Sequence, residues 1–140
     1  MEIADVRRRL HEAIERAKRR RGLDRRTRTD EARHAFDVFL ERTAVPLFRQ
    51  AANVLRADGY PFTLHTPADR VRLISDRRAE DYVEIVLDTE GDAPQVLGRT
   101  SRSRAAGVVI DERALGDASM LAEEELLAFL VRALEPFVER

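Results

Sequence analysis

The chain has 140 residues, of which 44% are apolar and 36% charged, with a formal net charge of −1. That length suits one domain burying about two thirds of its unfolded surface, and the composition is that of a soluble globular protein rather than a disordered one. With no cysteine, disulfide frameworks, thiolate metal sites and cysteine nucleophiles are excluded together. Apolar runs of only a few residues exclude a membrane span, and the charged first ten residues do not read as a secretory signal, so the expected location is cytoplasmic.

The first segment repeats apolar residues at Ile3, Val6, Leu10, Ala13/Ile14 and Ala17, a helical spacing with a narrow stripe. Gly22 is the expected stop. Residues 1–28 hold eleven basic and five acidic side chains, a net of +6, so they read as a basic helical arm ahead of a single α+β domain over residues 29–140. Thr29, Asp30 and Glu31 resemble a helix start, with a hydroxyl cap and acids in the first turn. A broad apolar face then runs from Phe36 to Leu55, and Gly59 ends it. Pro46 lies inside this second, long helix, and a kink is expected near residues 42–45 because proline removes a hydrogen bond and clashes one turn back.

The period then changes to two. Phe62/Leu64, Val71/Leu73 and Val83/Ile85/Leu87 alternate with polar neighbours, and the runs 95–101 and 107–112 complete an antiparallel meander of about five strands. A C-terminal amphipathic helix carries Leu126, Leu130, Leu134 and Phe137; its cap position is Ala122, followed by three glutamates. The two long helices are expected to cover one face of the sheet.

No glycine-rich phosphate loop, nucleophile elbow or paired-histidine motif occurs, and the three histidines lie in different elements. No metal or cofactor is called for. The informative set comes from strand register. With Val71 and Leu73 inward, parity places Val83 and Ile85 opposite them and so puts Arg72 against Glu84 and Ile74 against Tyr82 on the outer face. Extension with Val96 inward adds Arg99 beside Glu84, with His65 nearby and Val86 and Leu97 around the row. These eight residues read either as a cross-strand ion-pair ladder or as two guanidinium forks for an anionic ligand, in a binder or an enzyme; ladders are the commoner outcome. The apolar members call for a cover, and the stripe of the first helix or a second chain would supply it.

The second candidate surface is the set Arg7, Arg8, Arg9, Lys18, Arg19, Arg20, Arg21, Arg25 and Arg26, which suits a phosphate backbone. Glu12 and Glu15 interrupt it, and no aromatic residue precedes Phe36 to stack on a base. A non-enzymatic protein-interaction or adaptor domain, with a protein partner or self-association, is therefore the leading expectation. Nucleic-acid binding through residues 7–28 stands second.

Overall fold

The computed structural model describes residues 1–139 and divides the chain into two compact units, Met1–Glu31 and Ala32–Arg140. The elements are α1 (Ile3–Phe39), a π-helical turn (Leu40–Ala44), α2 (Val45–Ala57), β1 (Phe62–His65), β2 (Arg70–Ser75), β3 (Tyr82–Asp88), β4 (Gln95–Arg104), β5 (Gly107–Gly116) and α3 (Glu123–Val138). The architecture is α+β, as its sequence pattern implies. Among the described residues no helix is long and apolar enough to cross a membrane.

The expected break at Gly22 does not occur: α1 is one continuous helix through it. A single interior glycine costs only about 1 kcal/mol relative to alanine, and its neighbours are mostly Arg, Lys, Glu, Ala and Leu, which are strong helix formers. Ion pairs three or four residues apart, Arg8 with Asp5 and Glu12 and Lys18 with Glu15, add support in the first turns.

Pro46 does not end the helix either. The turn before it widens, and Val45 donates its N–H to the Leu40 carbonyl, five residues back. This relieves the conflict between the proline ring and the backbone of the preceding turn. It also corrects the helix phase. At about 100° per residue, an unbroken α-helix would carry the stripe Leu47, Phe48, Ala52 and Leu55 roughly 100° beyond that of Phe36, Phe39 and Leu40. One extra residue in the π turn takes back about that angle, and all seven side chains are buried in one core.

α2 closes with a Schellman motif. Tyr60 donates its N–H to the Leu55 carbonyl (2.8 Å) and Gly59 to that of Arg56 (3.2 Å), with Gly59 at φ 91° where a Cβ would be strained. The sheet order is β1-β2-β3-β4-β5, antiparallel throughout. Its inner face, carrying Val71, Leu73, Val83, Ile85 and Val96, packs with residues of α2 and with Leu126, Phe129, Leu130 and Phe137 of α3. Gly98 on β4 is the seat for Phe129: a Cβ there would lie 2.4 Å from the ring. At the N-terminus of α3, Ala122 is the cap, and its N–H is taken by the Glu125 carboxylate at 3.3 Å. Ser119 instead donates to Asp117.

Candidate functional site

The register places the eight outer-face candidates on the expected face. His65 stands opposite Arg72, Arg72 opposite Glu84 and Glu84 opposite Arg99, while Ile74 faces Tyr82 and Val86 faces Leu97. Arg99 in turn faces Glu112 on β5, so the row crosses all five strands, with formal charges on β2 to β5.

Glu84 is the centre of this face and has 0% of its surface exposed. Arg72 donates to its Oε1 from Nε at 2.7 Å and from Nη2, Arg99 donates from Nη1 to Oε2 at 2.9 Å, and Arg70 approaches at 3.4 Å. Arg99 turns Nε and Nη2 to Glu112 at 3.0 and 2.9 Å, and Arg70 pairs with Asp69 at 3.2 Å. The Arg72 guanidinium also lies over the Tyr82 ring, 4.1 Å from its centroid. Three arginines thus meet three carboxylates, and the forks point at acids of the protein itself.

The side-chain charges respond accordingly. Hydrogen bonding to Arg70 holds the Asp69 carboxyl below its ordinary range, and that same bond, against burial, holds Arg70 above its own. Burial works against the Arg99 charge, but the hydrogen bond to Glu112 and the nearby charge of Glu84 outweigh it and raise its pKa.

Ile3, Val6, Leu10 and Ile14 are exposed. Over the centre of the sheet, half-buried Arg70, Arg72, Tyr82 and Arg99 close the face themselves, with Val86 and Ser101 buried among them. The nine candidate phosphate contacts, Arg7, Arg8, Arg9, Lys18, Arg19, Arg20, Arg21, Arg25 and Arg26, are all exposed on α1. At about 100° per residue they are spread round the whole circumference rather than gathered on one face.

Three features escape the sequence reading. Arg70 and Glu112 join the row; the second follows once the hairpin turn is fixed at Ala105 and Ala106, which pairs Arg104 with Gly107 and hence Arg99 with Glu112. Asp81, just before β3, is buried and accepts from both the N–H (2.7 Å) and the hydroxyl (2.9 Å) of Ser103, tying the β4–β5 hairpin to the start of β3.

The third feature is the free edge of the sheet. β5 is ten residues long, its first eight residues are exposed, and Val108, Val109 and Ile110 show 49%, 38% and 55% of their surface. Ser103 turns its N–H toward β3 rather than β5, so Ser103 and Val108 form a non-hydrogen-bonded pair. By the alternation of an antiparallel ladder, Val108, Ile110, Glu112 and Ala114 aim their backbone groups outward. The opposite edge is different. β1 has four residues, and Arg56 of α2 caps it by donating to the Phe62 carbonyl (3.1 Å) and Thr63 Oγ1 (3.3 Å).

Among the described residues no group of three or more His, Asp or Glu converges as a metal site. The class defined here is an α+β domain with an internally neutralised sheet face and one open edge. Comparison with protein-family models, curated proteins and solved structures finds no match for the chain.

Proposed function

We propose that the unit Ala32–Arg140 is a non-enzymatic protein-interaction module that takes up an extended polypeptide segment along β5. The observation that carries this reading is the length and exposure of that edge. Exposed edge strands are templates for another chain, and globular proteins blunt those they do not use. This sheet blunts β1 with a short strand and an arginine cap, and leaves β5 open with three consecutive branched apolar residues. The charge-compensated row across the outer face favours a structural part for Arg72, Glu84 and Arg99, with Ile74, Tyr82 and Leu97 as flanking apolar surface.

The test is selection of peptides from a displayed random library against the full chain and against Ile110→Pro. Proline at 110 removes an outward N–H and leaves the β4–β5 ladder bonds in place. The native chain is expected to select extended, β-branched peptides, and Ile110→Pro, with unchanged circular dichroism, to lose them at least tenfold. Peptides that bind both proteins equally would contradict the reading.

A further inference from the structure

We infer that the segment added to β5 is β5 of a second copy of this chain, running antiparallel about a two-fold axis at Glu112. The inference rests on the edge-pairing reading above and names its partner.

Only residues 108, 110, 112 and 114 offer outward hydrogen-bonding groups, so in any symmetric antiparallel pairing these must meet one another. The allowed registers therefore differ in steps of two residues in the sum of paired positions; a two-fold axis at residue 110, 111 or 112 engages at least three of these four residues in each copy, whereas one at 109 or 113 engages only two. Leu115 is the extra residue of a bulge opposite Val96/Leu97, which bends β5 there and leaves the flat stretch before it for pairing.

The side chains then select among the registers. With the axis at Asp111, that carboxylate faces its own copy and Val109 faces Arg113. At Ile110, Val109 is set against Asp111 and Val108 against Glu112. At Arg113, two guanidinium groups meet. With the axis at Glu112, Asp111 faces Arg113 of the second copy, and the same pair repeats across the axis. Ile110 then faces Ala114, the last residue of the flat stretch. Opposite charges meet twice and apolar residues meet apolar residues.

The one like-charge contact in this register is Glu112 with itself. Each Glu112 carboxylate is already held by two donors of Arg99, at 3.0 and 2.9 Å, so the axis joins two ion pairs rather than two bare acids. Asp111 is largely exposed, and its pairing with Arg102 is a surface contact that leaves room for a second guanidinium. The central charged triplet thus sets the register of a strand whose apolar residues alone would pair in several. The product is a ten-stranded sheet through which the charged row of each copy continues into the other.

The chain has no cysteine, so single-cysteine variants report the register directly. Paired residues on the axis lie about 5.5 Å apart at Cα, within disulfide reach. For Ile110 the distance to its own copy is about 14 Å in this register. Glu112→Cys, Asp111→Cys and Ile110→Cys are made in the full chain, oxidised gently and resolved without reductant, alongside sedimentation equilibrium of the unmodified protein and Ile110→Pro. The expected result is a disulfide-linked dimer at least tenfold more abundant for Glu112→Cys than for the other two. The unmodified chain should sediment as a dimer and Ile110→Pro as a monomer. Preferential cross-linking through Cys at 110 or 111 would overturn the register. A chain that is monomeric at every concentration, with no cross-link at any position, would overturn self-pairing. In that case peptide selection sensitive to Ile110→Pro would still uphold β5 as an edge for other proteins, and its absence would remove both readings.

Discussion

A carboxylate with no exposed surface has to be held by donors, and Glu84 takes its own from Arg70 and Arg72 on β2 and Arg99 on β4. Removing one member of a buried ionic group is costly because the partners keep their charge and lose its compensation. Glu84→Gln keeps the shape, removes the charge and turns an amide donor toward guanidinium donors. It is expected to destabilise the fold by about 3–5 kcal/mol, read from urea denaturation; a change under about 0.5 kcal/mol, the size of an ordinary surface substitution, would contradict the account. Asp76 is the opposite case, an exposed acid. Thr63 Oγ1 and Arg56 donate to it and hold its carboxyl below the ordinary value of 3.8. A carboxylate depressed in the folded state contributes stability that is present above its unfolded pKa and lost as pH falls through the folded one. Asp76→Asn should therefore lower stability at neutral pH and flatten its decline below about pH 4, relative to the native chain. Identical acid-side slopes for the two proteins would sink that assignment.

The elements show where sequence reading succeeds and where it stops. Strand register was legible because Val71, Leu73, Val83 and Ile85 fix parity, and parity carries Arg72, Glu84 and Arg99 to one face with no further information. The continuity of α1 was not, since a glycine signals a stop or a tolerated interior residue with the same letter, and helix formers on both sides decide. The π turn is a third kind of case: Pro46 announces an irregularity, but its form depends on which stripes must share a core. This has a specific consequence. If the turn exists to absorb one residue, deleting exposed Arg42 should restore a plain α-helix with both stripes in register, provided the proline conflict is also removed. Pro46→Ala combined with deletion of Arg42 is expected to retain the native circular dichroism and a cooperative thermal transition. Loss of that transition would show that the phase argument is wrong, because the deletion would then have turned Leu47, Phe48 and Leu55 out of the core.

At the scale of the whole molecule, the exposure of β5 follows from topology rather than from its own residues. A run such as Val108, Val109 and Ile110 reads as core strand in isolation; it becomes an edge only because the meander ends there and, among the described residues, no later strand returns to cover it. The same order makes β1 the other edge, where Arg56 of α2 occupies the Phe62 carbonyl. The central claim is that the outward backbone groups of β5 are the ones another strand engages. Residue-resolved amide hydrogen exchange tests it most directly. In dilute solution, Val109, Asp111 and Arg113, bonded to β4, should be protected, while Val108, Ile110, Glu112 and Ala114 exchange freely. On raising the protein concentration, Ile110, Glu112 and Ala114 should gain protection and the first group should change little. Free exchange at Val108, Ile110, Glu112 and Ala114 at every concentration and with every selected peptide would contradict the claim.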